Sequence, residues 1–222
     1  MTTFLLLRHA HSNANDAGIL AGRIEGVSLS TIGMKQAQSL TQALKDHRID
    51  RIVSSSLLRC RQTVEPLAKN RRKRIHFDAN FLEMDYGLWS GKKLKDLSKL
   101  KSWKTIQKSP TRFTFPEGEG FRSAALRIER GLNRLAKQYP KETILIVTHG
   151  DIIKMALQLT SGGPLDNFQR FIVDTCSLSE IHWTAGSRVV IRTNTRLVKT
   201  KTLRKMKSRV NARNVLGGGA GV

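Results

Sequence analysis

Two rhythms of apolar residues run along the chain. Short continuous runs occupy residues 3–7 (TFLLL) and 143–148 (TILIVT), and apolar runs of that length predict strands covered on both faces of a sheet. Longer stretches repeat at helical spacing. Met34, Ala37, Leu40, Ala43 and Leu44 predict a helix over 31–45, with Ser30 or Thr31 as its N-cap. Residues 57–68 predict a second helix. Ala125, Ile128, Leu132 and Leu135 share one face of a third, at 121–138. A fourth is expected at 152–159, after Gly150. Briefer strands are expected at 51–54, 75–77, 171–173, 178–183 and 189–193. Between these lie a polar loop over 11–30 and a lysine-rich excursion over 87–115 with room for one or two short helices.

Strands that alternate with helices predict a three-layer α/β/α sandwich with a mainly parallel central sheet. Ligands bind beyond the carboxyl ends of the strands in such sheets. RHAHS follows the first apolar strand and HGD follows TILIVT. The two histidines are therefore expected at the same sheet edge.

Composition adds a boundary and a charge question. A chain of 222 residues with 39% hydrophobic content suits one core. After Asn194 the periodicity fades, so the expected division is a domain over 1–194 and a flexible basic tail over 195–222. The net charge is +22, and residues 187–222 carry ten cations and no acid. Further clusters are KNRRKR at 69–74 and a sparser one at 92–108. Such charge concentrates phosphorylated metabolites, nucleic acid or anionic lipid; the plainer reading is a solvated face. No apolar run reaches the 18 residues of a membrane span. The short apolar start has no preceding cation and no small-residue cleavage site, and it is expected to be a strand rather than a signal peptide. Two cysteines, Cys60 and Cys176, make neither a disulfide framework nor a metal-ligand spacing. A reducing cytoplasm fits both facts.

The candidate chemistry lies at the strand ends. Arg8 and His9 end the first strand, and His149 ends another, followed by Gly150 and a helix. Arg59 opens a helix just after the short strand IVSS. Helix starts offer free N–H groups and partial positive charge, and arginine adds a planar fork of donors matched to phosphate oxygens. Glu83, in FLEMDYG, is placed to supply a proton. Singly, each of these residues has an ordinary structural reading; together they suit a phosphoryl group.

The order of motifs joins them. LLLRHAHSNAN, AGRIEGVSLSTIGMKQA, SSSLLRCRQTVEPLA, FLEMDYGLWSG, FPEGEGF and VTHGDIIK resemble, in sequence order, the segments of the histidine phosphatase superfamily, in its phosphoglycerate mutase-like, broad-specificity phosphatase branch. The resemblance covers about residues 3–184. It implies that His9 attacks phosphorus, that Arg8, Asn15, Arg59, His149 and Gly150 hold the phosphoryl group, and that Glu83 protonates the leaving oxygen and then activates water. It further implies a neutral His9, a cationic His149, no cofactor and no metal. Arg23 and Glu119 are weaker candidates for the pocket rim, and Asp151 for a cap-like carboxylate. Two departures stand out. Ala10 takes the place of a common glycine, which matters if the backbone there has positive φ. His11 replaces Glu, Gln or Lys and is expected to be a spectator. The stretch after Glu83 lacks the paired arginines and paired prolines of the mutases. Hydrolysis of small phosphomonoesters is therefore the leading expectation, with a mutase-type phosphotransferase as the alternative; Lys92, Lys93, Lys101 and Lys104 are expected near the mouth. A non-catalytic protein that binds nucleic acid through its basic surface is the competing class.

Overall fold

The structure is a computed structural model that describes residues 1–184 and 186–197. The expected tail falls, from residue 198 onward, outside the described residues. Six strands form one sheet: β1 (Thr2–Arg8), β2 (Arg51–Ser54), β3 (Ile75–Phe77), β4 (Thr143–Thr148), β5 (Ser177–Trp183) and β6 (Arg188–Arg196), in the order β3-β2-β4-β1-β5-β6. The first four pair in parallel, and β5 and β6 join antiparallel at the β1 side. The mainly parallel α/β sandwich expected from the sequence is the fold. The last strand runs to Arg196, two residues past the expected boundary at 194.

The continuous apolar strands serve both faces, because successive side chains point opposite ways. Phe4 and Leu6 of β1, with Ile144 and Ile146 of β4, pack into one core, while Leu5, Leu7, Leu145 and Val147 pack into the other. Helices α2 (Thr31–Ala43) and α3 (Leu58–Asn70) cover the second face with Leu40, Val64 and Leu67. Helices α6 (Phe121–Gln138) and α7 (Gly150–Ser161) cover the first with Ile128, Leu132, Ile153 and Leu157. The crossovers thus change face between β1 and β4, which opens a crevice at their carboxyl ends.

Smaller pieces complete the chain. The loop after β1 holds one short helix, α1 (Asn13–Asp16), and the excursion holds α4 (Leu94–Leu97) and α5 (Lys101–Lys108). In the excursion Trp89 stacks on Trp103, with ring centroids 6.4 Å apart. Trp183 is buried and donates to Asn133 Oδ1 at 2.8 Å. All three tryptophans are packing residues, as expected. No strand forms at 171–173. That segment is irregular, and the Val173 carbonyl accepts a hydrogen bond from Arg8 Nη1 at 2.7 Å. The demand of a buried guanidinium for an acceptor has overridden the β-branched propensity. Among the described residues no helix is long and apolar enough to cross a membrane.

Candidate active site

Strand register brings the site together. Arg8 lies opposite Thr148, and Ser54 opposite Val147. The ladder continues one step further, with His9 N–H donating to Thr148 O at 2.9 Å and Ser55 N–H to Val147 O at 2.9 Å. His9, Ser55 and His149 therefore leave the same sheet edge side by side. The two imidazoles meet edge to face with centroids 5.3 Å apart. Gly150 begins α7, with His149 as its N-cap residue. Arg59, in the first turn of α3, reaches across and donates to Gly22 O at 2.8 Å and to His149 Nδ1 at 3.1 Å. Its Nη1 is buried with no hydrogen-bond partner among the described residues, as suits a donor kept for an anion.

Hydrogen-bond polarity fixes both histidines. Ala10 O can only accept, so His9 Nδ1, 2.8 Å away, carries a proton and Nε2 is left as the lone-pair nitrogen. Burial, reinforced by Arg59 and Arg8, holds the His9 pKa well below its ordinary value, which keeps the ring neutral and nucleophilic. Arg59 donates to His149 Nδ1, so His149 Nε2–H donates to Ser55 Oγ at 2.8 Å. Burial and the Arg59 charge push the His149 pKa well down too. The expectation of a cationic His149 is thus corrected: in this arrangement the ring is neutral, because it is fully buried against a guanidinium.

Glu83 is buried opposite. Its Oε1 accepts from Met84 N–H at 3.0 Å and its Oε2 lies 3.8 Å from His149 Nδ1. Burial and the nearby Asp151 charge raise its carboxyl to about 7, a value suited to a group that gives and takes a proton near neutrality. Asn15 accepts from Ser12 N–H and Ser12 Oγ at 2.9 Å each through Oδ1, which leaves Nδ2 as its donor. His9, Asn15, Arg59 and Glu83 line one pocket, together with Ser12, Tyr86 and an apolar wall of Ile19, Leu20 and Leu94.

Arg23 and Glu119 bind each other and the main chain around Glu83, and neither is among the residues that line the pocket. Arg23 Nε donates to the Glu83 carbonyl at 2.9 Å, and Arg127 Nη2 donates to the same carbonyl at 3.1 Å. Glu119 accepts from Arg23 at 3.1 Å, from Arg127 at 2.7 Å and from Asp85 N–H at 2.9 Å. Close approach at Gly87, where φ is +49° and a side chain would collide with Pro116 O, lets the two turns touch. Ala10 is not among the residues with positive φ, so alanine costs nothing there; its N–H donates to Thr63 Oγ1 at 2.9 Å. His11 faces Ser30 Oγ at 3.1 Å and does not line the pocket. Burial pushes the Cys60 thiol up to about 12, and its Sγ packs 3.5 Å from His149 Nε2. Lys92 and Lys93 are exposed beside the wall, where Leu20 N–H donates to Lys92 O. Lys101 and Lys104 are exposed on α5.

Sequence reasoning missed Ser55, Tyr86, Arg127 and Lys154. A lysine between Ile153 and Met155 in an otherwise apolar helix was a readable signal; Tyr86 and Arg127 gave none. Asp151 lies in the first turn of α7, as expected of a carboxylate at a helix start, and its buried side chain accepts from Tyr86 Oη at 2.7 Å. Among the described residues no group of three or more His, Cys, Asp or Glu is placed to hold a metal.

Comparison with known proteins points to one family. The phosphoserine phosphatase 1 of Hydrogenobacter thermophilus is 28% identical over 196 residues, which span 87% of this chain and 92% of that protein. The adenosylcobalamin/alpha-ribazole phosphatase of Salmonella typhimurium is 28% identical over 200 residues, or 87% and 96% of the two chains. The crystal structure of the alpha-ribazole phosphatase from Shigella flexneri superposes with a TM-score of 0.77 at 26% identity, covering 90% of this chain and 99% of that one. The sequence profile of the histidine phosphatase superfamily (branch 1) matches residues 4–196. With a neutral histidine held among buried arginines at the expected strand ends, this chain belongs to the histidine phosphatase superfamily.

Proposed function

We propose that this chain hydrolyses small phosphomonoesters in two steps through a phosphohistidine on His9. The observation that carries the reading is the pairing of a neutral His9, with Nε2 as its lone-pair nitrogen, and a buried Glu83 carboxyl raised to about 7. In the first step Nε2 bonds to phosphorus while the ester P–O bond breaks, and the Glu83 proton goes to the leaving oxygen. In the second step the Glu83 carboxylate takes a proton from water, the water oxygen bonds to phosphorus and the P–N bond breaks. Arg8, Arg59, Asn15 Nδ2 and the α7 start at Gly150 are assigned to the phosphoryl oxygens, where charge gathers in the transition state, and His149 joins them when its Nε2–H turns from Ser55 Oγ to the anion. No cofactor takes part in either step.

The stretch between Glu83 and Glu119 has no adjacent arginines and no Pro-Pro, which favours water over a second substrate as acceptor. Phosphoserine and alpha-ribazole phosphate, suggested by the names of the relatives, are the first substrates to try. The catalytic domain, expected over 1–194, is assigned with the end of β6 to residues 1–196, and 197–222 to a basic extension with room for a nucleic-acid contact. Two free, buried cysteines fit a reducing cytoplasm. The test is phosphate release from an aryl phosphate and from these esters, with EDTA present. The wild type is expected to turn over undiminished by EDTA and His9→Ala to be inactive; an active His9→Ala would overturn the reading.

A further inference from the structure

The segment that carries the nucleophile is gripped at successive main-chain groups. His9 N–H donates to Thr148 O at 2.9 Å, and His9 O accepts from Cys176 N–H at 3.2 Å. Ala10 N–H donates to Thr63 Oγ1, His11 N–H to Gln36 Oε1 and Ser12 N–H to Asn15 Oδ1, each at 2.9 Å. His11 O accepts from Ser30 N–H at 2.9 Å, at the start of α2. The helix comes this close because residue 33 is glycine; a side chain there would collide with His11 O. Gln36, in the second turn of α2, is 5% exposed. The peptide between Ala10 and His11 is trans, so its N–H and its C=O point in opposite directions. The N–H goes to Gln36, and the C=O goes to His9 Nδ1 at 2.8 Å. The flanking peptides have partners of their own, so this unit could turn about its two end bonds and leave its neighbours in place. The Gln36 oxygen opposes that turn from the side away from the His9 ring.

We propose that Gln36 is a positioning residue: by holding the Ala10–His11 peptide it keeps the His9 proton on Nδ1 and leaves the lone pair on Nε2 for phosphorus. The proposal rests on the reading of His9 as nucleophile. Were the peptide to turn, Nδ1 would lose its acceptor. The ring could then carry its proton on Nε2, where no bond to phosphorus can form. Gln36 acts during the first step as well. As Nε2 bonds to phosphorus the ring gains positive charge while Nδ1 keeps its proton, so its bond to Ala10 O becomes charge-assisted. Gln36 accepts from the N–H of that same peptide and so polarises the carbonyl further. The interaction is stronger in the transition state than before it, which is the condition for raising the rate.

The test compares wild type, Gln36→Met, Gln36→Glu and His9→Ala. It uses nitrogen NMR of protein isotopically labelled on its histidine rings, near neutral pH, and kcat/KM for an aryl phosphate. The His9 signals are those missing from His9→Ala. In the wild type they are expected to show one tautomer, protonated on Nδ1. Gln36→Met keeps the size of the side chain and loses the acceptor. It is expected to move part of the population to the Nε2–H form and to lower kcat/KM by roughly tenfold or more. Gln36→Glu keeps an acceptor oxygen and is expected to keep the wild-type tautomer. A Gln36→Met ring still protonated on Nδ1 alone, or an unchanged kcat/KM, overturns the proposal whatever happens to the melting temperature, because Gln36 then only satisfies the His11 N–H. A Gln36→Glu ring with its proton on Nε2 overturns it too. Should Gln36→Met not fold, Gln36→Asn, whose amide is a methylene too short to reach, decides by the same two measurements. His9→Ala tests the underlying reading separately. If it turns over the ester at the wild-type rate, His9 is not the nucleophile, and that assignment fails whichever tautomer Gln36→Met shows.

Discussion

Arginine appears at both ends of this sheet in opposite circumstances. Arg8 and Arg59, at the carboxyl ends of the parallel strands, are each 2% exposed. Along β6, Arg188, Arg192 and Arg196 pair with Glu129, Glu180 and Asp174 at 2.7–3.0 Å, with half or more of the Arg192 and Arg196 side chains in water. Burial, reinforced by the first pair, lowers the pKa values of His9 and His149. The β6 arginines have carboxylates of their own and bulk water to screen them. Charge becomes chemistry where it is desolvated; elsewhere it is solvation. A net charge of +22 therefore says little about catalysis until burial is known.

Substitutions at the buried end should have the largest effects. Arg59→Ala is expected to lower kcat/KM by about 10³-fold, because a preorganised donor to the phosphoryl oxygens is lost; a loss below tenfold would put Arg59 outside the cradle. Glu83→Gln is expected to cost alkyl esters on the order of 10² to 10⁴-fold. Wild-type kcat/KM should fall as pH rises through about 7, since Glu83 must be protonated in the first step. His9, depressed well below 6.5, stays neutral on the acid side and sets no limit near that pH.

The same carboxyl links stability to pH. Its folded pKa lies above its unfolded one, so between about 4.5 and 7 the folded state binds the extra proton and Glu83 destabilises the fold as pH rises. Thermal melts across that window should show Glu83→Gln gaining on the wild type toward pH 7; a constant difference would contradict the burial of the charge. At the exposed end, Arg192→Ala is expected to leave kcat/KM near the wild-type value and to change stability by less than about 1 kcal/mol. A large activity loss there would break the comparison.

Local pattern made one half of this legible. Arg8, His9 and His149 could be placed because continuous apolar strands end at them, and Arg59 because a helix opens there. Glu83 stood out only as a carboxyl in a polar segment, and its place as the catalytic acid came from the resemblance. The supports stayed hidden because they are long-range: Tyr86 and Asp151 are 65 residues apart, and Arg127 belongs to the same amphipathic helix that fills the core. Arg23 and Glu119 were singled out, but their bonds to each other and to the main chain around Glu83 stayed hidden, since those too are long-range. Residues 171–173 misled for a similar reason. Their β-branched and aromatic side chains favour a strand, but the segment instead turns a carbonyl to Arg8.

The phosphohistidine is the central claim, and rapid quench of the wild type with substrate tests it most directly. The quenched protein is digested under alkaline conditions, and the phosphorylated peptide is sequenced by mass spectrometry. The expected result is an acid-labile phosphate on Nε2 of His9, formed and lost at rates that match turnover and absent from His9→Ala. Turnover without any adduct under conditions that trap one, or an adduct on a different residue, would contradict it.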